Sequence, residues 1–303
     1  MVPSTSRCLR LMITQRSGLL QQPVGINNRN ILRRSPTSKN FSGIVPVKTL
    51  EDDSVTTFRL QCFNPEVPAL LPRHTFRDFP AIGKWFAVPT DQHAVPTLAH
   101  DYLASYGQTH VPLELSTSQG RFQRFDAPLS LFLEWTVQAS LESSERLYLA
   151  QATVSDLPEQ LRADLPVPQV VARSGRGDIY DANIWLGLAP TYTPLHRDPN
   201  PNLFVQLCGA KMVRIVKPDV GSAIYHRTQQ RLGQTASAAF RGDEMMMGEE
   251  KGLLEDAVWK DDASESRAVG EIYEARLESG DGLFIPKGWW HSIKGVGQGI
   301  TGS

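Results

Sequence analysis

Cysteine is nearly absent from this chain. Cys8, Cys62 and Cys208 lie far apart, with no CxxC among them. That excludes a disulfide framework and a structural zinc site, and suits a reducing compartment. A surplus of either charge is also missing: the net charge is −1, so no global basic field invites direct binding of nucleic acid or an anionic surface. No apolar run approaches the roughly 20 residues that a spanning helix needs, and no membrane partner is expected. Internal repeats and low-complexity tracts are lacking too. Acidic residues are absent from the first fifty positions, Glu51 being the first. The same stretch carries Arg7, Arg10, Arg16, Arg29, Arg33, Arg34, Lys39 and Lys48 among many Ser and Thr residues. An acid-free, Arg- and Ser-rich start has the composition of a mitochondrial transit peptide, or of a basic tail. We read 1–44 as a basic N-terminal extension with mitochondrial import as its expected role, cytoplasm or nucleus being the alternative. Residues 45–303 are read as the globular part.

What is present is ordinary globular composition, 41% hydrophobic and 21% charged residues in a chain of 303, long enough to bury a sizeable core. The spacing predicts a short helix around Ala81–Phe86. Over 95–116 and again over 130–154 it predicts a helix followed by a strand. "IYDANIWLGLAP" (179–190) has strand composition, and "LFVQLCGAKMVRIVKP" reads as two strands around Gly209. "ARLESGDGLFIPKGWWHSIKGV" (275–296) reads as three strands separated by a Gly-Asp-Gly turn and a Pro turn. Between these blocks, 219–270 is an acidic insertion. It is expected to be a solvated loop with one or two short helices, or alternatively a lid or docking surface. Many short strands with Gly and Pro turns point to a mainly β fold, a barrel or jelly roll, with an N-terminal α/β flank.

The chemistry gathers in "TPLHRDPNPNLFVQLCGAKMVRIVKP" (193–218). In an extended segment residues i and i+2 share a face, so His196 and Asp198 can aim an imidazole and a carboxylate at one point. A second imidazole, His291, sits in "IPKGWWHSI" after a sharp turn. Two histidines and one carboxylate, with positions left open, make the facial triad of non-haem Fe(II) oxygenases. Most such enzymes chelate their iron with 2-oxoglutarate, and O₂ takes the remaining position. The far carboxylate of 2-oxoglutarate needs a buried cation and hydroxyl donors. Lys211 lies fifteen residues after His196, Thr193 three before it, and Tyr148 stands in "ERLYLAQ". These three are the candidates.

Taken together, the residues resemble the JmjC family, and within it the protein hydroxylases of the asparaginyl-hydroxylase type. The resemblance covers roughly 60–300. It is carried by Thr193, His196, Asp198, Asn202 four residues after the aspartate, Lys211, and the sequence Trp289-Trp290-His291. It implies a double-stranded β-helix (a jelly roll of the cupin type) and dependence on Fe(II), 2-oxoglutarate and O₂. His196, Asp198 and His291 would be the metal ligands and catalytic residues. Lys211, Thr193 and Tyr148 would bind the co-substrate, with Asn202 close to the metal. It also implies a protein or peptide substrate, hydroxylated at carbon. Lysine demethylation and a catalytically inactive cupin-like scaffold are the alternatives. The tryptophans are expected to seal the barrel wall, and Asn183 and Trp185 to line it. One departure is expected: the last core strand is cut short, without the Asn that the family's strand carries near the co-substrate. The sequence sets no oligomeric state.

Overall fold

The computed structural model describes residues 44–87, 95–139, 143–176, 179–233, 246–260 and 270–303. The basic extension, apart from Ile44, lies outside the described residues, as does His93. Short strands β1 (Ile44–Pro46), β2 (Ala69–Leu70), β3 (Phe86–Ala87) and β4 (Thr97–Leu98) alternate with helices α1 (Val55–Phe58), α2 (Pro80–Trp85) and α3 (His100–Leu103). Pro80 opens α2, where its fixed φ and missing N–H cost nothing. A hairpin of β5 (His110–Thr117) and β6 (Phe122–Pro128) leads through α4 (Leu129–Gln138) to β7 (Glu145–Thr153). Helices α5 (Glu159–Ala163) and α6 (Gln169–Ser174) complete the expected α/β flank.

Eight strands follow. They are β8 (Asn183–Leu188), β9 (Thr191–Arg197), β10 (Asn202–Val205), β11 (Ala210–Val216), β12 (Ile272–Leu277), β13 (Gly282–Ile285), β14 (Trp290–Val296) and β15 (Ile300–Gly302). One layer runs β1-β12-β11-β14-β9. The opposing layer contains β10-β13-β2 and β15-β8-β7-β5-β6, joined where Cys208 bridges Gly302. Side-chain alternation along β11 sends Val213 and Ile215 inward. There they meet Phe204, Leu277, Leu283, Ile285 and Trp289 in a dry core. This is the jelly roll that the strand pattern pointed to, in the double-stranded β-helix form that the family resemblance implied. Gly209 turns the chain from β10 to β11 at φ +69°. A Cβ there would stand 2.7 Å from the Ile300 carbonyl oxygen, so the turn needs glycine for its conformation and its closeness to β15.

One expectation needs adjusting. The described parts of the 219–270 insertion are not a solvated loop. They form α7 (Pro218–Arg231) and α8 (Gly248–Trp259), which bury Val220, Ile224, Tyr225, Leu254 and Val258 against Leu195, Val216 and Trp290. Helix-spaced apolar residues thus hide in an acidic stretch, and they cover the outer face of β9, β11 and β14. Strand β15 pairs with β8 on one side, and Gly302 bridges Cys208 on the other. Gly302 exchanges backbone hydrogen bonds with Cys208, and Ser303 with Trp185.

Candidate active site

Strands β9 and β14 pair so that His196 stands opposite His291, and Thr193 opposite Ile293. Between those two pairs β9 spends three residues and β14 two, which is a β-bulge. The bulge has a chemical consequence. Residues three apart on a regular strand face opposite ways, whereas the extra residue returns Thr193 and His196 to one face. Leu195 is turned outward into the cluster beneath α7 and α8.

One ligand atom from each of His196, Asp198 and His291 lies within 4.8 Å of the others. His291 Nε2 is 3.6 Å from Asp198 Oδ2, and His196 Nε2 is 4.0 Å from Oδ1. His196 Nδ1 meets the Pro194 carbonyl at 2.8 Å, and His291 Nδ1 meets the Trp289 carbonyl at 3.2 Å. A carbonyl only accepts, so both Nδ1 atoms carry the proton and both Nε2 lone pairs remain for a metal. Burial, reinforced by the neighbouring His196, pushes His291 down to about 4, which keeps it in the neutral form that a ligand requires. Asn202 Nδ2 donates to Asp198 Oδ2 at 3.3 Å, orienting the carboxylate. The donor set of two imidazoles and one carboxylate fits ferrous iron with positions left open.

Lys211, on the inner face of β11, is 2% exposed. Its Nζ donates to Ser303 Oγ at 2.7 Å and lies 5.2 Å from the centre of the Phe204 ring. No carboxylate among the described residues pairs with it, and burial pushes its pKa down to about 7. A buried cation without a counter-charge is costly, so this position fits an anionic ligand group. Tyr148 on β7 lies against Gly187, where a Cβ would come within 2.3 Å of the ring. Burial first, then the nearby Glu114, raises the Tyr148 hydroxyl, leaving it a protonated donor. Tyr148, Thr193, Lys211, Ser303, Trp185, Asn183 and the three metal-ligand candidates line one cavity of about 720 Å³. The structure thus brings every predicted site residue together. Sequence reasoning missed Ser303, which directly follows β15, and Gly187, which makes room for Tyr148.

The insertion supports this site from outside. Trp259 on α8 donates its indole N–H to Ser292 Oγ at 2.9 Å, and Ser292 Oγ donates to the Thr193 carbonyl at 2.8 Å. Trp290 packs in the same outer layer, while Trp289 joins the barrel core, so both tryptophans seal walls. His226 is exposed on α7, and His74 Nδ1 meets the Ser279 carbonyl at 3.0 Å. Neither belongs to the cluster.

A jelly roll carrying a two-histidine, one-carboxylate cluster defines the class as a cupin-type metal-binding fold. A family model described as a cupin-like domain matches residues 48–301, and the chain belongs to this cupin-like JmjC family. The chain is 27% identical over 205 residues to "Lysine-specific demethylase JMJ30" of Arabidopsis thaliana, covering 66% of this chain and 44% of that protein. It is 25% identical over 278 residues to "Jumonji C domain-containing protein 5" of Drosophila melanogaster, covering 89% and 62%. To "Lysine-specific demethylase 8" of Danio rerio it is 29% identical over 151 residues, covering 49% and 33%. The chain therefore spans about a third to three fifths of the length of these relatives. Membership implies dependence on Fe(II) and 2-oxoglutarate.

Proposed function

We propose that this chain is an Fe(II)- and 2-oxoglutarate-dependent oxygenase that hydroxylates a protein side chain. The observation that carries the reading is Lys211, a buried cation without a carboxylate partner among the described residues, in the same cavity as His196, Asp198 and His291. His196, Asp198 and His291 would hold the iron. Lys211, Thr193 and Tyr148 would hold the far carboxylate of the co-substrate, by charge from Lys211 and by hydrogen bonds from the two hydroxyls. Bound there, iron with 2-oxoglutarate and O₂ supplies an oxidant for a substrate C–H bond, and succinate and CO₂ are the co-products. The cavity is large enough to admit a side chain beside the co-substrate. Purified protein supplied with Fe(II), 2-oxoglutarate and O₂ should form succinate, and His196→Ala should abolish it. Equal turnover in that variant overturns the reading.

Lysine demethylation is the second reading, favoured by the printed names of two of the relatives above. It would use the same residues, since hydroxylation of an N-methyl carbon releases formaldehyde. Formaldehyde from methyl-lysine peptides would support it. A hydroxylated peptide of +16 mass without formaldehyde would support the first reading. Stoichiometric iron without succinate would mark a binding scaffold.

A further inference from the structure

Four strands of the second layer carry one cross-strand row of residues. Arg124 on β6 stands opposite Glu114 on β5, Glu114 opposite Tyr148 on β7, and Tyr148 opposite Gly187 on β8. Directly opposed residues of antiparallel strands share a face. Arg124, Glu114 and Tyr148 all line the cavity that holds the metal-ligand cluster. The row therefore runs from Tyr148, at the co-substrate end, outward to Arg124. The Glu114 side chain is 9% exposed and that of Arg124 39%. Arg124 Nη2 donates to Glu114 Oε1.

That contact decides which charge the cavity can take. Among the described residues, the carboxylates lining it are Glu114, Asp181, Asp198 and Glu250. Asp198 belongs to the metal-ligand cluster. Glu250 accepts from Gln229 Nε2 at 2.7 Å, which ties it to α7. Asp181 is exposed, and it accepts from the Ala182 N–H at 2.8 Å and from Asn183 Nδ2 at 3.1 Å. Glu114 is the carboxylate that stands beside Tyr148, and it is engaged by Arg124. A cationic side chain brought there would have to displace Arg124, or lie without a counter-charge near Arg124 and Lys211. A buried cation so placed is costly. An uncharged side chain meets no such penalty, and it can donate to Glu114 and accept from Arg124.

We propose that Arg124 is a specificity-determining residue: by engaging Glu114 it bars cationic side chains from the cavity and selects an uncharged target that offers both a donor and an acceptor. Arg124 is thus the repulsive element that discrimination between partners requires. The inference rests on the oxygenase reading above and separates its two forms, since a lysine side chain is charged at neutral pH.

The test uses the full chain loaded with Mn(II) and 2-oxoglutarate, so that binding is measured without turnover. The probes are N-acetyl-citrulline amide and N-acetyl-arginine amide, which are alike in shape but neutral and cationic respectively. Paramagnetic relaxation of the probe protons by Mn(II) reports binding beside the metal. The unaltered chain should bind the citrulline probe more tightly than the arginine probe. Arg124→Met frees the Glu114 carboxylate and should tighten the arginine probe by roughly 10- to 100-fold, the range for a hydrogen bond to a charged group. Adding Glu114→Gln to that variant should cancel the gain, which a merely structural role for Arg124 would not predict. If Arg124→Met fails to fold, Arg124→Gln carries the same comparison. Tighter binding of the arginine probe by the unaltered chain overturns the inference. So does an unchanged preference in the Arg124 variant, or relaxation of neither probe by a chain that holds Mn(II) and 2-oxoglutarate. Failure of the unaltered chain to bind Mn(II) or 2-oxoglutarate would instead remove the underlying reading, and this inference with it.

Discussion

The rings of His196 and His291 lie 4.2 Å apart, centre to centre, on directly opposed residues of β9 and β14. Each is tied through Nδ1 to the carbonyl two residues earlier in the chain. The same local anchor, used on two antiparallel strands, aims both Nε2 atoms toward Asp198. The orientation is set by hydrogen bonds to the chain's own carbonyls.

Removing either ring should therefore remove the metal. His291→Ala and His196→Ala should each weaken Mn(II) or Fe(II) binding by more than the roughly 10- to 100-fold that follows loss of an outer partner. His226→Ala, on the exposed side of α7, should bind as the unaltered chain does. Calorimetry on the three variants checks this, and metal binding retained in His291→Ala would refute the assignment.

Asn202 makes a subtler prediction. Its amide donates to Asp198 Oδ2 at 3.3 Å, so Asn202→Ala should leave all three ligands present but free the carboxylate to rotate. Metal affinity should fall by roughly 10- to 100-fold, measured by competition with a chelator. The melting temperature of the metal-free protein should change little, because the lost contact is partly exposed.

Lys211 predicts a pH dependence of stability. Burial lowers its pKa from 10.5 to about 7. Below about 7 it is charged in both folded and unfolded chains, and the full cost of burying the ammonium is present. Between about 7 and 10.5 the unfolded chain binds more protons, so stability rises with pH until the cost is gone. Lys211→Met should flatten that rise. It should also stabilise the ligand-free protein at neutral pH by a few kcal/mol, roughly, while abolishing 2-oxoglutarate binding. Denaturant titrations from pH 6 to 10 provide the measurement. An unchanged slope in the variant would show that Lys211 is not the group responsible.

Gly221 tests the outer layer. A Cβ there would fall 2.1 Å from Trp290 Cγ, so Gly221→Ala must push α7 off β14 or displace the indole. Overpacking of this kind costs about 1–3 kcal/mol, a loss of roughly 2–10 °C in Tm. Because Trp290 directly precedes His291, metal affinity should fall in the same variant. A loss of Tm with unaltered metal affinity would show that the insertion supports the fold but not the site.

Much of this was legible in the chain itself. Strand alternation around Gly209 and the three-strand reading of 275–296 hold in β10 to β14, because both rest on a local period and on turn residues that act within a few positions. Thr193, His196, Asp198, Lys211 and His291 were legible because metal and anion chemistry admits few residue types. The packing of 219–270 was not legible. Val220, Ile224 and Leu254 are diluted by charge in the sequence, and their burial depends on Trp290 and Leu195 from distant strands. Ser303 was not legible either, since nothing around it announces a partner 92 residues earlier.

By itself, then, the sequence determined which donors exist and that they sit on strands, since side-chain chemistry and a two-residue period are local properties. Only the tertiary structure decided how those donors meet. The bulge that returns Thr193 to the face of His196 exists only in the pairing of β9 with β14. The neighbours of the Lys211 ammonium exist only where β11 and β15 close the barrel. Both depend on contacts between residues far apart in the chain, which no local pattern encodes.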